Sequence, residues 1–228
     1  MTHYGTLESD AMNVILFGAS GMVGQGVLRE CLLDPDVGKV LSIGRSAIGQ
    51  RDDKLREIVH KDIANLEPIA QELTGYDACF FTLGVSSFRM KEADYRRITY
   101  DLTLGAAKTL ARLNPAMTFI YVSGAGTDSS GSAMWMRVKG ETENALLALP
   151  FKAAYMFRPG FIQPLHGIRS KTALYRLPYA ILGPFNSLFL RFFPKYATTT
   201  EVLGRAMIKA ARYGASKKIL ESQDINAL

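Results

Sequence analysis

The first two thirds of the chain alternate short apolar runs with longer segments of helical periodicity. Continuous apolar runs of this length are typical of strands buried on both faces, whereas the longer segments have the 3.6-residue period of helices. The pattern predicts strands at 13–18, 39–43, 57–60, 78–83, 118–122 and 152–157, and helices at 24–33, 67–73, 95–113 and 135–149. Regular alternation of strand and helix predicts an α/β fold with a doubly wound parallel sheet.

The pattern changes after residue 158, where Pro, Gly and aromatic residues become frequent. We predict one further helix at 201–213 and a short strand at 218–220. Residues 1–12 are interpreted as a flexible N-terminus and residues 13–228 as a single domain. Within that domain, residues 158–228 are predicted to form a short C-terminal capping region on the substrate side.

Charge is distributed unevenly along the 228 residues, which carry a formal net charge of +6. Residues 1–150 have 15 Lys and Arg against 18 Asp and Glu, whereas residues 151–228 have 12 against 3. The basic last third favours anionic ligands, lipid headgroups or acidic partners. Its segment 174–195, aromatic with basic edges, fits either a membrane interface or packing around a substrate pocket, and we favour the pocket.

The same composition excludes several other classes of protein. The polar start lacks the apolar stretch of a signal peptide, and no segment has the apolar length of a membrane span. The two cysteines, Cys31 and Cys79, are expected to be buried thiols, and the scattered histidines predict no metal site. Together these features predict a cytoplasmic location.

A glycine-rich turn follows the first predicted strand directly and opens the first helix. Gly18 allows a tight exit from the strand, Gly21 lets the backbone approach a pyrophosphate, and Gly24 lets the helix lie close to the sheet. The helix N-terminus then presents free N–H groups to the phosphates. This context predicts a Rossmann-type dinucleotide site, to which the turn contributes Gly18, Ser20, Gly21, Met22, Val23 and Gly24.

The end of the second strand indicates which dinucleotide binds. An NAD site usually has a carboxylate here for the ribose hydroxyl groups, but this chain has Arg45 and Ser46, which suit a 2′-phosphate. NADP(H) is therefore predicted over NAD(H), against the alternative that Arg45 is an ordinary surface residue. Asp62 and Ile63 are placed to meet the adenine, and Thr82, Leu83 and Gly84 to lie along the cofactor.

Several motifs recur in one order: GASGMVG at 18–24, FTLG at 81–84, YVSG at 121–124, VKGE at 138–141 and FRPG at 157–160. With them the chain resembles the atypical short-chain dehydrogenase/reductase superfamily, including NAD-dependent epimerase/dehydratase-like proteins and the Tat-interacting-protein-like branch. The resemblance covers about residues 13–165. It adds Lys139, Arg158, Pro159 and Gly160 to the predicted cofactor contacts.

The catalytic set of that superfamily is Ser, Tyr and Lys, with Tyr and Lys spaced YxxxK on one helix face. The resemblance assigns Ser123 as the serine and Lys139 as the lysine, but Trp135 occupies the tyrosine position. An indole N–H donates a hydrogen bond and does not shuttle protons near neutral pH. Tyr121 and Tyr155 are candidate substitutes, although each fits a core aromatic better.

Three functions fit these residues. The first is a redox enzyme that transfers hydride between NADPH and a small carbonyl or quinone-like acceptor. Some such acceptors can take their protons from water and need no tyrosine. The second is a non-catalytic NADP(H)-binding sensor or regulator. The third is a peripheral membrane protein handling a lipid-soluble substrate, with weak contact to an anionic membrane surface. No nucleic-acid motif is present, and the oligomeric state stays open.

Overall fold

The computed structural model describes residues 11–168 and 195–228, which fold around one central parallel sheet. The strands are β1 Met12–Phe17, β2 Val37–Gly44, β3 Leu55–Val59, β4 Ala78–Phe81, β5 Thr118–Val122, β6 Ala153–Arg158, β7 Phe161–Gln163, β8 Ala197–Thr199 and β9 Ile219–Glu221. The helices are α1 Met22–Leu33, α2 Glu92–Arg96, α3 Leu102–Leu113, α4 Met134–Leu147, α5 Thr200–Tyr213 and α6 Ser222–Ala227, with a 3₁₀ helix at Glu67–Leu73.

Seven of these strands form the main sheet in the order β3-β2-β1-β4-β5-β6-β9, and all pair in parallel. The apolar runs of β1 and β4 lie at its centre and are buried on both faces. Each face carries its own apolar core, one including Val14 and Phe80 and the other Ile15 and Phe81. The predicted doubly wound α/β fold is confirmed, and Met12, predicted to be flexible, begins β1.

The helix predicted at 95–113 has a different construction in the structure. It begins at Glu92 and is interrupted by a π-helical turn at Arg97–Asp101 before α3 continues. A π turn adds a residue to the helical repeat and rotates the side chains around it, and such turns are frequent at functional sites. The apolar period of 95–113 gives no sign of this turn, so the sequence analysis did not predict it.

The last third of the chain contributes to the main layers as well as to their edge. Helix α5 packs on α1, and the two helices approach so closely that a Cβ at Gly26 would lie 2.6 Å from the Cβ of Thr200. Strand β9 extends the main sheet beside β6, whereas β7 and β8 form a separate pair. Residues 200–221 thus belong to the layers of the domain, not to a cap. The aromatic segment 174–194 lies outside the described residues.

Ion pairs connect the basic last third to the acidic part of the chain. Arg205 Nε lies 3.0 Å from the buried Glu30, and Arg212 lies 2.9 Å from Asp36. Part of the predicted attraction for anions is therefore satisfied inside the molecule. None of the helices in the described ranges is long and apolar enough to span a membrane.

The contact between α1 and α5 makes Gly26 intolerant of larger side chains. We expect Gly26→Val to lower the free energy of unfolding by about 1–3 kcal/mol, because the added methyl groups overlap Thr200. Lys108→Val, at an exposed position of α3, is the control for adding a β-branched residue to a helix. Equal losses in the two variants, measured by urea denaturation, would contradict the close packing.

Candidate functional site

A cavity of about 250 Å³ lies at the carboxyl ends of β1, β2 and β4. Parallel sheets of this type bind ligands at this edge. The cavity includes nine of the residues predicted to bind the cofactor: Gly18, Ser20, Gly21, Arg45, Ser46, Ile63, Thr82, Leu83 and Gly84. Its other lining residues were not predicted: Ala19, Ser42, Ile43, Gly44, Ile48, Val85, Ile98 and Leu102.

The glycine turn has the geometry that its spacing predicts. Gly18 has φ +85°, and a Cβ there would lie 2.7 Å from the backbone nitrogen of Leu83. A Cβ at Gly24 would lie 2.0 Å from the carbonyl oxygen of Gly18, so only glycine allows α1 to start here. At Gly21 the nearest atom is farther, at 3.3 Å. Gly18 and Gly24 therefore shape the turn, whereas Gly21 leaves space on the cavity side.

The N-terminus of α1 follows this turn without a side-chain cap. Its N-cap residue is Gly21, and its first turn holds no acidic residue. Met22 and Val23 belong to that first turn but do not line the cavity. Uncapped N–H groups and the positive end of the helix dipole favour an anion at this point.

The end of β2 contributes the polar part of the cavity wall. Arg45 and Ser46 are exposed, and Arg45 forms no ion pair with any residue in the described ranges. Ile63 is buried and lines the cavity, whereas Asp62 is exposed and its backbone carbonyl accepts a hydrogen bond from the N–H of Asn65. In the structure Asp62 therefore lies at a turn beside the cavity.

The end of β4 forms the wall between the cavity and the next strand. Both the backbone N–H and the hydroxyl of Thr82 donate to the carbonyl of Phe17, at 3.0 and 2.7 Å. This fixes the ends of β1 and β4 together. Gly84 follows with open space around its Cα, because no atom lies within 4 Å of an added Cβ.

Opposite this wall, Ile98 and Leu102 reach the cavity from the π-helical turn and the start of α3. They lie far along the chain from the glycine turn, so no local motif indicates them. Ile63 could be predicted as an adenine contact because it follows a strand in the sequence, whereas no neighbouring sequence feature marks Ile98 or Leu102 as cavity residues. Ile98 lies within the π turn, and Leu102 is the first residue of α3 after it.

The predicted catalytic residues lie on the next strand of the sheet, β5, and on helix α4. Ser123 is buried at the end of β5, and Thr127 Oγ1 donates to the Gly124 carbonyl at 2.7 Å. The Ser123 hydroxyl therefore donates in its 3.0 Å bond to Thr127. Trp135 lies in the first turn of α4, and its ring faces Gly126, since an added Cβ there would lie 3.5 Å from Cη2.

Lys139 is one helical turn beyond Trp135 and is partly buried. Its Nζ lies 5.5 Å from the ring centroid of Tyr121, which occupies the same face of β5 as Ser123. Loss of hydration lowers the pKa of Lys139 to about 8, although the nearby Glu143 opposes this shift. Lys139 is thus a lysine with an apolar, aromatic environment, unlike an exposed helix lysine.

Arg158, predicted as a cofactor contact, is engaged elsewhere in the structure. Its guanidinium donates to both carboxylate oxygens of Glu143, with distances of 2.5 to 3.1 Å, and lies 3.4 Å from Glu221. Glu143 is 1% exposed, so the ion pair compensates a buried charge. The sequence analysis did not single out Glu143, since nothing in the local pattern shows that Arg158 faces it.

Pro159 and Gly160 join the end of β6 to its neighbours. The carbonyl of Pro159 accepts from the N–H of Ala125, and the N–H of Gly160 donates to the hydroxyl of Ser222 at 2.8 Å. The predicted residues Arg158, Pro159 and Gly160 do not line the described cavity. Of the three, Pro159 supports the loop after Ser123 through its bond to Ala125.

The two candidate substitutes for the tyrosine have different surroundings. The hydroxyl of Tyr155 accepts a hydrogen bond from the N–H of Ala215, in the connection between α5 and β9. Tyr121 is 1% exposed, and its burial raises its pKa far above the usual range. Tyr121 therefore keeps its proton near neutral pH, and Tyr155 lies in the apolar core on the opposite face of the sheet.

One cluster of possible metal ligands was not predicted from the scattered histidines. Glu30, His166 and Glu201 have ligand atoms within 4.8 Å of one another. Arg29 and Arg205 already bind Glu30, and Arg205 also binds Glu201. Two guanidinium groups at these carboxylates oppose the binding of a cation.

Comparison with known sequences identifies relatives of this chain. Protein HTATIP2 of Rattus norvegicus is 30% identical over 152 residues, which are 66% of this chain and 62% of the rat protein. The mitochondrial protein FMP52 of Saccharomyces cerevisiae is 30% identical over 163 residues, 71% of this chain and 69% of the yeast protein. The aligned region thus spans somewhat less than two thirds of the rat relative. No family model matches the chain.

Solved structures show the same fold at low sequence identity. An oxidoreductase of the short-chain dehydrogenase/reductase family from Burkholderia thailandensis superposes with a TM-score of 0.69 at 15% identity, covering 95% of this chain and 93% of that one. The enzyme WbmF of Bordetella bronchiseptica, solved in complex with NAD+, gives 0.66 at 14% identity, covering 96% and 78%.

The chain belongs to the HTATIP2/FMP52 family of atypical short-chain dehydrogenases/reductases, a branch of NAD(P)-binding Rossmann proteins. The predicted family is therefore confirmed. The predicted cytoplasmic location is contradicted, because FMP52 relatives that match the chain are named mitochondrial proteins. The composition and apolar patterns from which the location was predicted reflect the fold of the protein and do not distinguish one cellular compartment from another.

The ion pair of Arg158 and Glu143 makes a testable contribution to stability. We expect Arg158→Met to lower the free energy of unfolding by about 3–5 kcal/mol, because Glu143 is left buried and unpaired. In Arg158→Met/Glu143→Gln part of this loss should be recovered. Arg112→Met, which removes an exposed pair with Glu67, is the control and should cost about 0–1 kcal/mol. Similar losses for Arg158→Met and Arg112→Met would contradict the burial of this charge.

Proposed function

We propose that this protein is an NADP(H)-dependent oxidoreductase that acts on a small carbonyl or quinone-like acceptor. The observation that carries the proposal is the alignment of two sites along one sheet edge. The glycine turn and its cavity lie at the ends of β1, β2 and β4. Ser123 lies at the end of the adjacent strand β5. Lys139 lies on α4, with its Nζ over the ring of Tyr121 in the same strand. A dinucleotide that extends from the cavity towards β5 would bring its nicotinamide to this pair.

The residues present fit such a cofactor. Gly21 and the uncapped first turn of α1 would hold the pyrophosphate, Ile63 would pack against the adenine, and Lys139 would contact the nicotinamide ribose. When bound, the cofactor supplies or accepts a hydride. Ser123 orients the carbonyl oxygen of the substrate, since its hydroxyl can turn from Thr127 to donate to that oxygen.

The preference for NADP(H) follows from the charges around the cavity. No Asp or Glu is among the described residues that line it, so no carboxylate would repel a 2′-phosphate. Arg45 is exposed at the end of β2, and no described acidic residue neutralises it. A free guanidinium can form two parallel hydrogen bonds to a phosphate, and Ser46 beside it can donate a third.

One observation favours a second function, that of a non-catalytic NADP(H) sensor. Trp135 stands where the superfamily has its proton-donating tyrosine. Burial keeps Tyr121 protonated, and Tyr155 lies on the opposite face of the sheet. A sensor needs the cavity and Arg45 but no proton donor. Turnover of NADPH with carbonyl or quinone acceptors distinguishes the two functions.

Gly21 tests the assignment of the glycine turn. We expect Gly21→Val to weaken NADPH binding by roughly tenfold or more, a loss of about 1.4 kcal/mol, because its methyl groups would occupy the pyrophosphate path. The fold should persist, since an added Cβ there has its nearest contact at 3.3 Å. Calorimetry measures the affinity, a thermal melt checks the fold, and Gln71→Val, exposed and outside the cavity, is the control. Unchanged affinity in a folded Gly21→Val protein would refute the assignment.

Arg45 tests the preference for the phosphorylated cofactor. We expect Arg45→Glu to weaken NADPH binding by roughly 10- to 100-fold, because it removes charged hydrogen bonds worth about 1.5–3 kcal/mol. Binding of NADH, which lacks the 2′-phosphate, should change little. Arg51→Glu makes the same charge change at an exposed residue that does not line the cavity. If the unmutated protein binds NADH as tightly as NADPH, the preference is wrong.

A further inference from the structure

The position that should hold a proton donor is occupied by an indole, and one titratable group lies a helical turn away. The ring of Trp135 faces Gly126 in the loop that follows Ser123, so it lies beside the substrate end of the site. Lys139 follows at the next turn of α4 on the same helix face. Its Nζ lies over the ring of Tyr121, two residues before Ser123 on one face of β5.

We infer that Lys139 is itself the proton donor to the substrate oxygen in this protein, directly or through one water molecule. The inference rests on the oxidoreductase function proposed above. It gives Lys139 a role beyond contact with the ribose, for which its charge alone would suffice.

The surroundings of Lys139 suit a group that exchanges protons. The groups facing it are Glu143 on its own helix and Tyr121 on β5, whose burial keeps it protonated. Arg158 on β6 holds both carboxylate oxygens of Glu143. Burial of the amine lowers the pKa of Lys139 to about 8, although Glu143 opposes the shift, and this value is close to the pH at which an acid catalyst is most effective.

In carbonyl reduction, the carbonyl carbon gains a hydride and the carbonyl oxygen gains a proton. The C=O double bond becomes a C–O single bond, and the two electrons come from the reduced nicotinamide. The proton leaves the ammonium of Lys139, which becomes a neutral amine and is then reprotonated by solvent. In alcohol oxidation the same steps run backwards, so the neutral amine accepts the hydroxyl proton.

This reversal gives a pH test that a purely electrostatic role cannot imitate. Below pH 8 Lys139 is mostly ammonium, so kcat/KM for benzaldehyde reduction with NADPH should be constant there and fall above that pH. For benzyl alcohol oxidation with NADP+, kcat/KM should rise with pH and level off above 8. If Lys139 only holds the ribose by its charge, both rates should fall above pH 8, and that result would overturn the inference.

Substitution of the lysine separates the two roles. Lys139→Arg keeps a positive charge for the ribose but cannot release a proton near neutral pH. We expect reduction to fall by roughly 100-fold or more, the usual contribution of general acid catalysis, and both inflections near pH 8 to disappear. The affinity for NADPH, measured by calorimetry, should differ by less than about threefold between Lys139→Arg and the unmutated protein. Retained turnover in Lys139→Arg would show that the proton comes from elsewhere.

A measurement without turnover tests the titration itself. Competitive acetylation of the cofactor-free protein, followed by mass spectrometry of each lysine, reports the protonation of every amine against pH. Lys139 should titrate near 8, and the exposed Lys108 is the control. In Glu143→Gln, loss of the carboxylate should lower the midpoint of Lys139 and move the kinetic inflection down with it. A kinetic inflection that stays in place while the midpoint moves would assign the proton to another group.

The proposed function and this inference can fail separately. If the unmutated protein reduces neither benzaldehyde nor para-benzoquinone with NADPH, the oxidoreductase proposal fails and the proton-donor role fails with it. If it reduces benzaldehyde but Lys139→Arg does so equally well, the oxidoreductase remains and only the role of Lys139 is overturned.

Discussion

The site depends on the close approach of two strand ends, at Gly18 and Thr82. A Cβ at Gly18 would lie 2.7 Å from the backbone of Leu83, and Thr82 donates twice to the carbonyl of Phe17. This contact leaves no room for a side chain between β1 and β4. It also directs α1 away from the sheet edge and Gly84 towards open space, so that the cavity exists between them.

The electrostatics of the site follow from where the carboxylates are held. The described lining of the cavity has no acid, whereas the buried Glu30 and Glu143 are both paired with arginines from the last third of the chain. Three arginines of the last third, Arg158, Arg205 and Arg212, thus pair with acids of the first part of the chain. Arg45, at the end of β2, has no ion pair within the described ranges.

Sequence patterns predicted those parts of the structure that local physics determines. The strands and the glycine turn follow from apolar runs and from backbone geometry, and each leaves a mark within a few residues. Ile98, Leu102 and Glu143 reach the site through a π turn or through tertiary packing, which leave no local mark. Arg158 shows the same limit, because the FRPG motif does not reveal that its guanidinium is engaged by Glu143. Contacts between side chains on different strands and helices could therefore not be predicted from the sequence.

The spacing along α4 places three of the discussed side chains in one row. Trp135, Lys139 and Glu143 are separated by four residues each, so they form one row on the helix. Burial of the amine is the larger influence on the pKa of Lys139 and lowers it, whereas Glu143 raises it. Arg158 holds both carboxylate oxygens of Glu143 from β6, so this row of α4 is joined to the neighbouring strand of the sheet.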